Sequence, residues 1–389
     1  MALRRPLGEA EQHLLDASHA IGTRPQHQPE PLLQERSMKV LRSTDWPLGR
    51  RSRWLAVGAV ALVLAGCAKD APQDSLEPAG PAARTIDNLF TPVFFIGVVV
   101  FFLVQGLILY SVIKFRRRDD ADSSFPEQLH GNTRLEVGWT ILPALVLAVV
   151  AVFTVPVIFE LDREPEGALQ VDVTGQKYWW AYSYPDQEMV PGGGITTANE
   201  LKIPAGEPVF LKLRSTDVIH SFWAPRLNGK RDVVPGRVHT WTVEADEPGV
   251  YSGQCAEFCG TSHANMRLKV VALDAAAWEE WVASEQEEPE VPTEGLAAEG
   301  YDVFGQLCSS CHVVNGQYDQ VAATSPSAPN LTHLFSRDCF AGCIYDLNDR
   351  NEVEAWLRDP QRKAGSLMVI GELSETQIDQ LYAYLTTLD

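Results

Sequence analysis

Two stretches of this chain run without a charged side chain for longer than a soluble fold needs, and they fix what the rest can become. Residues 89–113 are 25 consecutive uncharged positions, and 137–159 form a second such run. As a helix rising about 1.5 Å per residue the first is roughly 37 Å long, enough for a hydrocarbon core of ~30 Å with some tilt. Two such runs in sequence predict a transmembrane hairpin. Lys114, Arg116, Arg117 and Arg118 follow the first run at once. A basic cluster is retained in the cytoplasm, so both outer ends of the hairpin face outward, with everything after Glu160.

The N-terminus agrees with that orientation. Residues 1–50 are polar and non-periodic; Arg50, Arg51 and Arg53 then precede the apolar run 54–65, which ends in L-A-G-C at Cys67. A basic region, a short apolar region and small residues describe a secretory signal. The ending resembles a bacterial lipobox, which makes Cys67 a lipidated mature N-terminus. Met38 starts a leader of more usual length, so 1–37 reads as a mis-assigned start within the leader 1–67. Residues 68–88 are then the mature tail, and 89–160 the hairpin.

Acidity is confined to the outer part. From 161 to 389 there are 16 Lys+Arg against 35 Asp+Glu, a difference of 19 that equals the whole-chain net charge of -19. Such a surface repels nucleic acid and suits a basic protein partner. From 169 the texture changes to short alternating segments, with strands expected at 171–174, 178–184, 208–214, 238–243 and 266–273. Five or more short strands between Gly/Pro turns predict a β-sandwich or barrel over 161–285. Asp274 caps a short helix, 286–295 is an acidic Pro-bearing linker, and 296–389 turns helical. There 296–307, 352–358 and a final helix opened by the capping box Ser374–Gln377 form a small all-α domain.

Seven cysteines divide by spacing into one near the leader and three local pairs, at 255/259, 308/311 and 339/343. Residues 255–266 read C-x3-C-x3-H-x2-M, and soft sulfur with imidazole suits copper. Thiolates at Cys255 and Cys259 can bridge two copper ions, with His220 on one and His263 on the other. The Met266 sulfur and the Glu257 carbonyl then serve as weak outer ligands. A Cys255–Cys259 disulfide and a Cys2His2 zinc are the competing readings. The sequence C-S-S-C-H at 308–312 reads as a c-type haem attachment, two thiols reaching two vinyl groups and His312 meeting the iron. The second axial ligand is Met368 or His333; Met368 sits in a segment similar to the methionine loop of cytochromes c, and a thioether raises the potential. Cys339 and Cys343 read as a local disulfide outside the membrane. His239 and His333 read as structural.

From about 85 to 285 the chain resembles subunit II of the haem–copper cytochrome c oxidases. The segments that carry the likeness are L-E-V-G-W-T-I-L-P (135–143), G-Q-K-Y-W-W-A-Y-S-Y (175–184), D-V-I-H-S-F-W (217–223), D-V-V-P-G-R (232–237) and G-Q-C-A-E-F-C-G-T-S-H-A-N-M (253–266). With its haem domain the chain is similar to the fused caa3-type form. The resemblance implies a two-helix transmembrane hairpin, a cupredoxin-like β-sandwich or barrel, and an all-α cytochrome c domain. It implies a binuclear copper A centre on His220, Cys255, Glu257, Cys259, His263 and Met266, and a magnesium ion reached by the Glu257 side chain. It also implies haem c on Cys308, Cys311, His312 and Met368, an interface supported by Asp217 and Asp232, and Glu136 at the mouth of a proton pathway. Oxygen reduction would lie on subunit I, with subunit III as a further partner, in a bacterial cell membrane with both metal domains outside. The donor would be a cytochrome c or a bc1-type complex.

The chain departs from that pattern at Val369, where proline is usual, and at Tyr178, where members using a separate cytochrome c carry an electron-admitting tryptophan. Trp179 and Trp180 remain beside it, one of them expected in the core. Two other functions compete: the copper A subunit of a nitric oxide reductase, and a secreted copper-binding lipoprotein without turnover.

Overall fold

The structure is a computed structural model that describes residues 54–55, 57–60, 71–116, 128, 131–318 and 328–388. Cys67, Arg117 and Arg118, and with them the lipobox and part of the basic cluster, lie outside the described residues. Ala68–Asp389 form one compact unit.

Helix α1 spans Pro81–Lys114, with proline in the first turn, where a missing N–H costs nothing. Helix α2 spans Thr133–Leu161 and is capped by the Asn132 side chain, which accepts from the amides of Arg134 and Leu135. Both helices are long and apolar enough to cross a membrane, and their apolar side chains stay exposed along the length. The outer ends are tied to the β domain. Ala79 N donates to Arg226 O at 2.7 Å, Ala83 N to Leu227 O at 3.2 Å, and Arg231 pairs with Asp162 at 3.1 Å. Arg84 pairs with Asp246.

The β domain consists of two five-stranded sheets. One runs β3-β2-β1-β5-β8, built from Ile195–Ala198, Trp179–Tyr184, Leu169–Gln176, Val209–Ser215 and His239–Val243. The other runs β4-β10-β9-β6-β7, built from Glu200–Pro204, Arg267–Leu273, Gly249–Cys255, His220–Trp223 and Lys230–Val233. Strict alternation along β1 buries Leu169, Val171 and Val173 between the sheets, where they meet Trp180, Tyr182, Leu211 and Val270. Five of the ten strands match the expected ones to within two or three residues at either end. Tyr178 and Met266 fall just before their strands, because their side chains belong to loops at the domain's end. Of the unexpected strands, β3, β4, β6 and β7 are only four or five residues long, too short for alternation to register, and the seven-residue β9 carries glycines at 249 and 253. Helix α3, Ala275–Ser284, packs Trp278 and Trp281 against Tyr184.

The C-terminal region holds α4 (Gly295–Leu307), a small ladder β11–β12 (Cys339–Phe340 with Tyr345–Asp346), α5 (Arg350–Arg358) and α6 (Glu375–Leu385). The Ser374–Gln377 capping box is formed. Helices α4 and α6 cross at Gly300, where an added Cβ would lie 1.9 Å from the Gln380 carbonyl oxygen. Phe304, Leu357, Leu381, Tyr384 and Leu385 fill the core.

Candidate functional site

Strand register assembles the first site. Antiparallel pairing of β6 with β9 sets Phe222 opposite Cys255, so His220, two residues earlier, arrives beside the loop that follows β9. The loop's base is closed by Cys255 N donating to Met266 O at 2.8 Å, and Ala256 N donates across to Ser221 O at 2.9 Å. Within this frame Cys255 Sγ lies 3.9 Å from His220 Nδ1, and Cys259 Sγ lies 3.7 Å from His263 Nδ1. The two sulfurs are 3.9 Å apart, Met266 Sδ is 3.8 Å from Cys259, and the Glu257 carbonyl is 3.3 Å from Cys255. His220, Cys255, Cys259 and Met266 are buried.

The two competing readings fare poorly here. A disulfide needs its sulfurs about 2.05 Å apart, and both cysteines are free. Zinc would use two thiolates and two imidazoles but not a fully buried thioether facing one of those thiolates. Two thiols, each with its own imidazole, plus a soft and a hard outer donor, fit a two-copper group.

Hydrogen bonds orient one imidazole of the set. His220 Nε2–H donates to Asp217 Oδ1 at 2.8 Å, turning Nδ1 toward Cys255. Asp217 also accepts the amides of Lys177 at 2.8 Å and Val218 at 2.6 Å. Burial alone would raise its carboxyl, but these hydrogen bonds, that of His220 foremost, leave it below the usual range. Burial likewise pushes His220 down, and Cys255 and Asp217 outweigh it so that the imidazole is raised. The hydrogen bond from Cys259 holds the Cys255 thiol down to about 4, while Cys259 is pushed up by the same bond. Asp217, expected at a subunit interface, therefore holds a first imidazole in place; its D-x-x-H spacing was the available signal.

A second site lies in the helical region. A cavity of about 300 Å³ is walled by Phe304, Leu381, Leu385 and other apolar side chains, with Cys308, Cys311, His312 and Met368 on its lining. His312 Nδ1–H donates to Pro329 O at 2.9 Å, which leaves Nε2 for a metal; burial also lowers its pKa, keeping the ring neutral. His333 does not line the cavity, and its Nε2 faces the Glu287 carbonyl at 3.0 Å. Of the two candidates for a second axial ligand, only Met368 faces the cavity. The site fits a haem bonded through both thiols.

Residues 177–179 lie between the two sites. Trp180 is wholly buried in the β core, whereas Lys177, Tyr178 and Trp179 form part of the haem-cavity wall. The Tyr178 hydroxyl accepts Thr261 N–H at 3.1 Å, within the loop that carries Cys259 and His263. Elsewhere, Glu136 sits in the first turn of α2, at the far end of the hairpin from the Asp162–Arg231 tie. His239 donates to its neighbouring strand at Asp232 O. Cys339 and Cys343 form a disulfide.

Comparison with known proteins gives three family matches along the chain. Residues 73–157 match the transmembrane domain of cytochrome c oxidase subunit II, 169–273 its periplasmic domain, and 297–389 cytochrome c. Cytochrome c oxidase subunit 2 of Alkalihalophilus pseudofirmus is 38% identical over 87% of this chain and 97% of its own length. The protein of the same name from Bacillus sp. strain PS3 is 36% identical over 85% and 95%. The solved periplasmic domain of oxidase subunit II from Bradyrhizobium japonicum is 26% identical over 31% of this chain and 96% of its own, with a TM-score of 0.29.

Proposed function

This chain belongs to the cytochrome c oxidase subunit II family and carries a cytochrome c domain, and from that premise we propose that it is the electron-accepting subunit of a proton-pumping terminal oxidase. Electrons would pass from a cytochrome c or bc1-type donor through a covalent haem c to a binuclear copper A centre, and on to subunit I, where oxygen is reduced to water. When bound, the two groups supply one-electron storage.

The chain's own residues supply the rest. Cys255, Cys259, His220, His263, Met266 and the Glu257 carbonyl form a buried, pre-assembled donor set, so ligands need to move little between oxidation states. Asp217 fixes the orientation of one imidazole, the outer-shell role that tunes ligand basicity. Cys308 and Cys311 would anchor the haem, and His312 and Met368 would ligate its iron. The apolar wall excludes water and so favours a high potential. Tyr178 supports the internal route: it walls the haem cavity and hydrogen-bonds to the copper loop, so the chain's own haem is the donor to the loop.

The finer assignments follow the same reading. The Glu257 side chain reaches a magnesium ion at the subunit I boundary. Glu136 stands at the mouth of a proton pathway on the cytoplasmic side. The copper and haem domains face the periplasm or its equivalent, and Cys67 carries a lipid.

The observation that carries the reading is the pair of Cys–His couples, Cys255–His220 and Cys259–His263, closed by Met266. Optical spectroscopy of the purified complex tests it. A c-type haem band together with a near-infrared copper A band is expected; absence of both overturns the reading.

A further inference from the structure

The Cys339–Cys343 disulfide is a ligand in neither site, although Cys339, Phe340 and Ala341 line the haem cavity, and the loop it closes stands where the haem domain meets the β domain. Its backbone is unusual. Ala341 (φ 52°), Gly342 (φ 79°) and Cys343 (φ 54°) are consecutive left-handed residues, and two of them lack glycine's freedom. Non-glycine residues in that region cost on the order of 1–3 kcal/mol each, and persist where surrounding contacts over-determine them.

Most of its contacts run across the seam. Arg267 N donates to Gly342 O at 2.9 Å. Lys363 Nζ donates to Ala341 O at 2.6 Å and to Tyr178 O at 2.7 Å, bridging loop and copper domain. On the loop's other arm, the amides of Asp338 and Cys339 both donate to Glu200 Oε1 at 2.9 Å. Glu200 is a carboxylate of β4 only 2% exposed, with Lys269 Nζ at 3.6 Å. Ser262, beside His263, donates to Ala364 O at 2.5 Å. Gly342 itself abuts the copper loop, since an added Cβ would lie 2.5 Å from Asn265 O and 2.8 Å from Tyr178 O. Glu200, Cys339 and Cys343 also gather closely enough to suggest a metal group, but the two sulfurs are bonded to each other and hold no ion.

We propose that the disulfide-closed loop 339–343 is the clasp that seats the haem domain against the copper loop, with Glu200 and Lys363 as its anchors. Cross-linking a short loop removes conformations that docking would otherwise have to freeze out. The clasp therefore holds the left-handed turn ready to present the Gly342 carbonyl to the β domain, with the Asp338 and Cys339 amides beside it. Its consequence for electron transfer rests on the function proposed above; the clasp itself does not.

The test is hydrogen–deuterium exchange on the intact complex carrying Cys339→Ser/Cys343→Ser. Exchange at the Arg267 amide and at the amides of 338–339 should rise about tenfold or more, as expected for a segment freed to open locally. Haem and copper content should be retained. Reduction of haem c by a small donor should be unchanged, while equilibration between haem and copper slows. Unchanged protection at Arg267 and 338–339 overturns the proposal. Should the double variant not accumulate, Gly342→Ala decides, because it leaves the disulfide intact but places a methyl against Asn265 O. Lost protection at Arg267 supports the clasp, and parental protection refutes it. If the parent complex lacks both optical bands, the proposed function fails, and the exchange result still decides the clasp.

Discussion

Replacing Asp217 with asparagine isolates the contribution of one outer-shell carboxylate to the copper site. Asp217 Oδ1 accepts from His220 Nε2–H and Val218 N, and Oδ2 accepts from Lys177 N. An asparagine has the same shape but only one acceptor oxygen. If that oxygen keeps His220 and Val218, the NH2 group faces the Lys177 amide; turned the other way, it faces the imidazole N–H. Leaving one such donor unmet costs about 1–3 kcal/mol, and the charge-assisted bond to His220 weakens as well. Loss of a partner that orients a metal ligand typically lowers metal affinity 10–100-fold, or about 1.4–2.7 kcal/mol, and that range is the expected loss here. The assay is chelator competition on the purified complex, with copper counted per haem c so that a folding defect is seen separately. An Asp217→Asn complex that holds copper within about threefold of the parent, far below that range, refutes the orienting role.

Three further outcomes follow from other parts of the molecule. Met266→Leu conserves volume in a fully buried position, so stability should fall by less than about 1.5 kcal/mol; copper content should persist while the midpoint potential of the copper centre moves, as redox titration would show. Gly300→Ala drives a methyl into the Gln380 carbonyl at the α4–α6 crossing, so the haem domain should lose at least about 1–3 kcal/mol, read as a lower midpoint in thermal unfolding followed at the haem band. Burial pushes Lys363 down to about 7 from its ordinary 10.5, partly offset by Cys259. The seated domain thus binds fewer protons than the released one, so seating strengthens as pH rises from about 7 toward 10.5 and levels off below 7. Arg267 amide protection, corrected for intrinsic exchange, should follow that curve, and a Lys363→Met complex should lose the dependence.

Much of this was legible in the linear chain because its determinants are local. A charge-free run long enough for a bilayer, a C-x-x-C-H attachment and a capping box each lie within one helix or loop. Four of the proposed copper donors, Cys255, Glu257, Cys259 and His263, with Met266 beside them, fall within twelve residues for the same reason. The family resemblance added the name of the copper centre, the magnesium ion and the roles of Glu136, Asp217 and Asp232, and the matches along the chain agree with the domains read from the residues.

What the sequence could not decide is where hydrogen-bond register and domain seating place distant residues. His220 reaches Cys255 only because β6 pairs with β9 at Phe222–Cys255, a non-local choice with no periodic trace. Asp217, at the surface, then also becomes a tether for an imidazole. Met368 is separated from His333 as the cavity ligand by the folding of the loop before α6 and by the turn of His333 toward Glu287. Tyr178 appears in the sequence as a departure; in the fold it stands between copper loop and haem cavity. Cys339 and Cys343 are, by spacing alone, a plain local disulfide. Their loop acquires a partner only when tertiary packing buries Glu200 and Lys363 at the same seam, because a buried charge must find its hydrogen bonds wherever the fold brings them.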